Sequence, residues 1–317
     1  MNIQQLRIIR EAVRRSYNLR EVAAALFTSQ SGVSRHIKDF EDELGVTLFV
    51  RKGKRLLGLT EPGDQVFGIA AKVLTELDQI RSLCDQFSSG DSGRLRIATT
   101  HTQARYVLPA VITEFRRQFP RVHVVLLQGS PSHCAEMLLS GDADVAVASE
   151  VLRSQTGIAG FEFYRWHHAV VVPRGHALDD EDPLTLGRLA SHPILTYHDG
   201  FTGRHQIDEA FSNQGLQPEI AISALDADVI KTYVGLGMGV GIIASMAFEA
   251  GRELSLRQRS AEHMFGSCAA HVGVRRGAYL RGYVYRFLEI CIPALTERVA
   301  RRIVSSVEPG LALAEND

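Results

Sequence analysis

A segment near the N-terminus carries side chains suited to reading a nucleic acid. Residues 28–45 begin with hydroxyl and amide side chains, continue with basic ones and end in acidic ones. Arginine, amide and hydroxyl groups hydrogen bond to base edges, and a helix N-terminus attracts phosphate. A helix that enters the major groove with its N-terminal half requires this sorting of charge. The candidate DNA contacts are Ser29, Gln30, Ser31, Ser34, Arg35 and Lys38.

A basic turn follows this segment. The apolar runs 48–50 and 56–57 flank Lys52 and Gly53, which predicts a two-stranded hairpin. Basic side chains at the tip of such a hairpin, or wing, contact phosphates or the minor groove. The candidates are Arg51, Lys52, Lys54 and Arg55. The alternative interpretation is a small helical domain with a solvated basic loop.

Three later segments place polar groups where predicted strands end. Residues 99–103 lie between a strand and a helix start, and 197–204 repeat that arrangement. Residues 148–150 follow a third strand, at the edge where open α/β sheets bind their ligands. Hydroxyl groups and free backbone N–H groups in such turns favour a small anion. Capping hydroxyls alone are the simpler explanation of any single segment.

Neither a catalytic motif nor a metal-binding motif stands out. GxSxG, HExxH and GxxxxGK[ST] are absent, and the four cysteines form no CxxC pair. His167 and His168 have neither the spacing nor the acidic partner of a zinc site. The glycine run at 235–241 follows a helical segment and precedes a strand, whereas a dinucleotide loop has the opposite order. We therefore predict no enzymatic activity, no catalytic residue, no cofactor and no metal.

The elements that position these groups follow from the apolar pattern. Three short helices are predicted before the hairpin, and Gly45 is placed to end the third. A long helix follows, from about residue 60, and its apolar residues repeat with a spacing of 4 and 3. Such a heptad repeat predicts pairing with a second copy, although a single amphipathic helix is the alternative. The predicted seam is Val66, Ala70, Val73, Leu77, Ile80, Cys84 and Phe87.

Charge and hydropathy set further bounds. The net charge is −1, but residues 1–60 carry 11 Lys and Arg against 6 Asp and Glu, whereas the remainder is acidic. A basic head on an acidic body favours a DNA partner for the head alone. The first fifteen residues are charged throughout and lack the core of a secretory signal, and no apolar run is long enough to span a membrane. We therefore expect a cytoplasmic protein without a membrane partner.

The motifs together resemble the LysR-type transcriptional regulators, and within them the regulators of cysteine biosynthesis and sulfur assimilation. The resemblance runs from Met1 to about Val304 and is carried by TSQSGVSRHIKDFEDELG (28–45), VRKGKRL (50–56), GLTEPG (58–63), TTHTQARYVLP (99–109), YHDGFTGR (197–204), LDADVIKTYV (225–234) and RRGAYLRGYVY (275–285). It implies an α/β fold overall: an N-terminal winged helix-turn-helix (1–59), a dimerising linker helix (60–89) and a two-lobed α/β effector domain like a periplasmic binding protein (90–308). Lobe I would comprise about 93–164 and 267–304, lobe II about 165–266, and 309–317 a disordered tail.

The resemblance also implies a function and an effector site. It implies an activator of sulfur-assimilation genes that binds promoter DNA, contacts RNA polymerase, forms a dimer or tetramer and responds to acetylserine, sulfate or thiosulfate. In the subgroup, Thr100, Thr102, Gln103 and Thr202 bind the effector, and Ser149 stands where relatives usually have threonine. Ser130 and the segment 266–269 also depart from the subgroup pattern, which leaves open a LysR-type regulator with an unrelated effector. A solute-binding protein would have no use for residues 1–60.

Overall fold

The computed structural model describes residues 1–53, 55–89, 92–149, 151–180, 183–201 and 203–306. The predicted contacts Lys54 and Thr202, the side chain of Phe87 and the predicted tail 309–317 lie outside the described residues. The chain divides into two compact units, Met1–Phe87 and Ser88 onward.

The first unit is a helix-turn-helix followed by a hairpin and a long helix. Local sequence fixes its helix ends, because Asn2 forms a capping box with Gln5, Asn18 caps the second helix and Ser29 caps the third. Gly45 ends the third helix in the left-handed conformation, as predicted (φ 70°). Its elements are α1 (Ile3–Arg14), α2 (Leu19–Ala25), α3 (Gln30–Leu44), β1 (Phe49–Lys52), β2 (Arg55–Leu59) and α4 (Glu61–Ser89).

The core of the first unit includes the beginning of α4. Val33, Ile37 and Phe40 of α3 pack against α1 and α2, together with Ala70 and Leu74 of α4. The first turn of α4 lies directly on the chain before β1, since a Cβ atom on Gly63 would stand 2.0 Å from the carbonyl oxygen of Leu48. Glycine at this position therefore lets the hairpin and α4 touch through their backbones.

The second unit alternates strands and helices. Its elements are β3 (Gly93–Thr99), α5 (His101–Tyr106), α6 (Leu108–Gln118), β4 (Val122–Gln128), α7 (Pro131–Leu139), β5 (Val145–Ala148), α8 (Val151–Ser154), β6 (Ile158–Pro173), α9 (Leu186–Ala190), β7 (Ile194–Tyr197), α10 (Arg204–Asn213), β8 (Ile220–Ala224), α11 (Ala227–Gly235), β9 (Val240–Ala244), β10 (Leu256–Ser260), α12 (Glu262–Phe265), β11 (Ser267–Arg275), α13 (Gly282–Cys291) and α14 (Glu297–Ser305).

Two lobes share the long strand β6. In lobe I the strand order is β4, β3, β5, β11 and the first half of β6, and β3 pairs in parallel with both its neighbours. In lobe II the second half of β6 lies between β10 and β9, and β7 and β8 follow. Each lobe buries its own apolar core. Strand β6 runs unbroken through Trp166, where it passes from lobe I to lobe II.

The glycine run at 235–241 is a helix-to-strand turn, as the sequence predicted. It connects the end of α11 to β9. Gly239 has a φ of +146°, and a Cβ atom there would stand 2.2 Å from the carbonyl oxygen of Pro193. Close backbone approach, and not phosphate binding, accounts for this glycine.

Candidate DNA interface and effector cleft

Helix α3 presents the predicted recognition side chains to solvent. The Ser29 hydroxyl accepts the Gly32 N–H at 3.1 Å and lies 3.1 Å from the Ser31 hydroxyl. The Arg35 side chain is 85% exposed and makes only a long contact, 3.8 Å, with Asp39. Val33, Ile37 and Phe40 face inward, so the polar face is held outward by the packing of α3. Gln30 and Lys38 are exposed and Ser34 is half-buried.

The Glu41 side chain of α3 hydrogen bonds to the backbone at the start of the wing. One oxygen of this carboxylate, Oε1, accepts the backbone N–H groups of Leu48 at 2.8 Å and Phe49 at 3.1 Å. The other oxygen accepts from Arg51 at 2.7 Å. The Glu41 side chain is only 13% exposed. Glu41 therefore holds the chain just before β1 against α3, whereas the sequence showed it only as one of the acidic residues at the end of the helix.

A basic groove lies between the wing and the turn from α1 to α2. Its volume is about 900 Å³, and Lys52 and Arg55 line it on the wing side. Arg14, Arg15 and Arg20 line it on the helical side, and none of these three was predicted from the sequence as a contact. The turn between them holds Ser16 and Tyr17 at positive φ. The run of basic residues at 14–20 was the signal that could have identified them.

Helix α4 divides the predicted seam between two environments. Val66, Ala70 and Leu77 pack on the core of their own unit. Val73 and Ile80 are exposed, and Cys84 is exposed as well. Ile69 and Leu83, which the heptad reading left out, continue this exposed stripe. The stripe is offset from the predicted seam because one side of the heptad packs into the core of the first unit.

In the second unit, the turn after β3 brings polar side chains to the boundary of the lobes. Thr100, Thr102 and Gln103 are all buried. The Tyr164 hydroxyl on β6 donates to Gln103 Oε1 at 2.6 Å, and burial raises the pKa of Tyr164, so this hydroxyl keeps its proton. With its oxygen occupied, the Gln103 carboxamide has its N–H groups left to donate to another partner.

Two buried polar atoms of this region have unused hydrogen-bonding capacity. The Thr102 hydroxyl interacts with the Tyr197 hydroxyl of lobe II, which accepts the Ala244 N–H at 3.0 Å, but no atom of the described residues lies at full hydrogen-bond distance from Thr102. The indole Nε1 of Trp166 likewise has no hydrogen-bond partner among the described residues. The Trp166 ring packs edge-on against the His168 ring, with 5.0 Å between the ring centroids. Buried polar groups are normally satisfied, so such atoms point to a polar ligand or ordered water. Tyr164 was missed because only the position of β6 in the sheet brings its hydroxyl to this turn.

A cleft of about 300 Å³ opens between the lobes. Ser132, Ser149 and Ser154 line it from lobe I, and Gly203 and His205 line it from lobe II. Ser149 is thus a wall of the cleft, as expected for an effector residue, although its role stays a prediction. Ser130, in contrast, caps α7 by accepting the His133 N–H at 3.2 Å.

The turn before α10 is built tightly against β6 and β11. Gly203 has a φ of +68°, and a Cβ atom there would stand 2.8 Å from His168 and 3.1 Å from the thiol of Cys268. The Cys268 thiol contacts Gln206 at 2.6 Å. The unusual cysteine of the segment 266–269 is therefore a buried support of the turn next to the cleft.

The described residues were also searched for a metal site and for a membrane-spanning helix. Over that part of the chain, no group of three or more His, Cys, Asp or Glu side chains could hold a metal ion. A search of the same residues finds no helix that combines the length and the apolar character needed to cross a membrane.

Comparison with known proteins identifies this architecture. A family model described as "Bacterial regulatory helix-turn-helix protein, lysR family" matches residues 3–64, and one described as "LysR substrate binding domain" matches 88–296. HTH-type transcriptional regulator SsuR of Burkholderia cenocepacia is 51% identical over 94% of this chain and 96% of its own length. HTH-type transcriptional regulator Cbl of Escherichia coli is 50% identical over 97% and 98%.

Solved structures agree with this result. The cofactor-binding domain of the Cbl transcriptional regulator superposes with a TM-score of 0.65 at 45% identity, covering 68% of this chain and 95% of that one. Full-length CbnR complexed with its target DNA gives a TM-score of 0.65 at 20% identity, covering 93% and 100%, and so supports the fold alone. The two family models and these relatives identify a DNA-binding transcriptional regulator. The chain belongs to the LysR family.

Proposed function

We propose that this regulator activates genes of sulfur assimilation and cysteine biosynthesis when a small sulfur-related molecule binds between its lobes. The observation that carries the proposal is the set of buried hydroxyl and amide groups at the lobe boundary, in a chain about half identical to SsuR and Cbl over nearly its whole length. Acetylserine, sulfate and thiosulfate are the proposed effectors. A regulator that acts at promoters would be cytoplasmic and would contact RNA polymerase.

The deciding experiment is a calorimetric titration of the full-length protein with O-acetylserine, N-acetylserine, sulfate, thiosulfate and adenylyl sulfate, with and without promoter DNA. A ligand that binds and changes the affinity for DNA supports the proposal, because an effector must bind one arrangement of the protein better than another. If none of the five binds, the effector is not one of these sulfur compounds. The second candidate is then a LysR regulator with another small anionic effector.

Arg35 is proposed to read a base, together with Ser31 and Ser34, while the wing holds phosphates. Arg35→Ala should reduce discrimination between operator and random DNA by about 1–3 kcal/mol, because a bidentate arginine–guanine pair contributes that much. Titration of both DNAs by fluorescence anisotropy measures this difference. Equal losses on the two DNAs would refute the assignment.

The matched control for Arg35 is a wing residue. Arg55 lines the basic groove and is exposed. Arg55→Ala should weaken binding to all sequences alike and reduce the slope of log affinity against log salt by about 1, since a phosphate contact carries no sequence information.

The exposed stripe of α4 is proposed to pair with a second copy of the chain. Ile69 is 63% exposed and Ile80 is 58% exposed, and large apolar side chains in a stripe of this kind mark an interface. Ile80→Glu should weaken self-association at least about tenfold, because the carboxylate would have to leave water. Ile80→Leu is the conservative control and should self-associate normally. Sedimentation at several concentrations distinguishes them, and an unchanged dissociation constant for Ile80→Glu would exclude this stripe.

A further inference from the structure

A partly buried ionic network joins the two lobes at the C-terminal end of α5. Tyr106 of α5 donates its hydroxyl hydrogen to Asp228 Oδ1 at 2.7 Å and accepts from Lys231 Nζ at 3.2 Å. Asp228 and Lys231 both belong to α11 of lobe II, whereas α5 follows β3 of lobe I. Arg105, also on α5, contacts the other oxygen of Asp228 at 2.6 Å. Both oxygens of this carboxylate are therefore occupied by residues from the opposite lobe.

On the lobe II side of this network, several hydrogen bonds hold the Lys231 side chain in place. Lys231 is only 6% exposed. Its ammonium group also donates to the carbonyl of Ala247 at 2.6 Å and to Glu253 at 2.5 Å. Asp228 lies in the first turn of α11, where the helix favours a negative charge. A buried lysine held by several acceptors is costly to move, so the surface that receives Tyr106 is fixed.

The other end of α5 carries the proposed effector groups. Gln103 and Tyr106 are three residues apart, so they lie on neighbouring positions of one short helix. The helix is six residues long, and a displacement of Tyr106 therefore moves Gln103 and Thr102 as well. Tyr164 holds Gln103 from β6, and the α11 network holds Tyr106 from lobe II.

We infer that Tyr106, Asp228 and Lys231 are positioning residues that hold α5 in place for the effector. The inference rests on the proposed effector site at Thr102 and Gln103. The network fixes the donors of that site relative to lobe II, and a change in lobe arrangement that breaks the Tyr106–Asp228 contact lowers the affinity for the effector. Linkage then requires that the bound effector stabilise this contact by the same factor.

The test compares two tyrosine-to-phenylalanine variants of the full-length protein. Tyr106→Phe keeps the ring and removes the hydroxyl that contacts Asp228 and Lys231. Tyr283→Phe is the matched control, because its hydroxyl donates to the Arg94 carbonyl at 3.0 Å within lobe I. The two measurements are calorimetric titration with sulfate, thiosulfate and O-acetylserine, and amide hydrogen exchange of residues 101–106.

One or more of the three probes should bind the wild type. Tyr106→Phe should bind the same probe about tenfold more weakly, because it loses one charge-assisted hydrogen bond. Its α5 amides should exchange faster, and Tyr283→Phe should leave both quantities unchanged. Equal affinities and equal α5 exchange in the two variants would overturn the inference and leave the effector site standing. If the wild type binds no probe, the proposed effector fails, and hydrogen exchange alone then decides whether Tyr106 holds α5.

Discussion

Replacing Glu41 with alanine will lower the free energy of unfolding of the N-terminal unit by about 2–4 kcal/mol, because two buried backbone N–H groups lose their acceptor. Those groups belong to Leu48 and Phe49, whose side chains are 0% and 2% exposed. Alanine at this position offers no acceptor to either group. The wing will therefore shift relative to α3, and the affinity for every DNA sequence will fall.

Two other variants isolate the cause. Glu41→Gln keeps an oxygen that can accept both N–H groups and loses only the ion pair with Arg51, so most of the stability should remain. Asp42→Ala removes an exposed carboxylate from the same helix and should leave stability unchanged. If Glu41→Ala and Asp42→Ala unfold alike, the carboxylate does not anchor the wing.

The two units can be monitored separately in these variants. Trp166 is the one tryptophan of the sequence and lies in the second unit, so its fluorescence follows that unit. Hydrogen exchange of residues 1–60 follows the first. We expect Glu41→Ala to increase exchange in 1–60 and to leave the tryptophan transition unchanged. A shift of both would indicate a general loss of structure.

Glu41 illustrates what residue type alone cannot provide. Its place among Asp39, Asp42 and Glu43 indicates a solvated acidic surface, and the helix is indeed predicted correctly from its apolar face. The role of the carboxylate depends on the backbone N–H groups of Leu48 and Phe49 lying within its reach, and Leu48 in turn lies against the backbone of Gly63. Such a contact leaves no periodic signal in the sequence.

The long helix shows a related limit. A heptad pattern identifies α4 and its apolar side, but it does not assign each apolar residue to a partner. Ala70 is buried in its own unit, whereas Ile69, one position away, is exposed. Both choices satisfy the pattern, and only the packing of α1 to α3 against the helix separates them.

The sequence predicted the polar turns at the boundary of the lobes but not the side-chain contacts that the turns make there. The strand ends at 99 and 148 and the turn at 197–204 follow from local pattern, since strand ends recur at one edge of a parallel sheet. The contact of Tyr164 with Gln103 and that of Tyr106 with Asp228 span 61 and 122 residues of sequence. The first contact depends on β6 lying beside the turn after β3, and the second depends on the two lobes meeting at α5 and α11.

Thr102→Val will lower by about half or more the stabilisation that an effector confers on the second unit, because the loss of one hydrogen bond weakens binding about tenfold. A ligand that binds only the folded state at a hundredfold excess over its Kd stabilises it by about 2.7 kcal/mol, and thermal unfolding measures this as a rise in Tm. Thr102 is 1% exposed, and its hydroxyl has no partner at hydrogen-bond distance among the described residues. Valine has nearly the same shape, so the variant should fold and, without effector, be at least as stable as the wild type.

The control for this variant is Thr113→Val on α6. The Thr113 hydroxyl donates to the Pro109 carbonyl at 2.7 Å on an exposed face, away from the cleft residues, so its loss should leave the effector response intact. Both variants are compared with the wild type in thermal unfolding with sulfate, thiosulfate and O-acetylserine, using the fluorescence of Trp166. An equal rise in Tm for Thr102→Val and the wild type would place the effector elsewhere, because a ligand bound against this buried hydroxyl must lose a hydrogen bond in the variant.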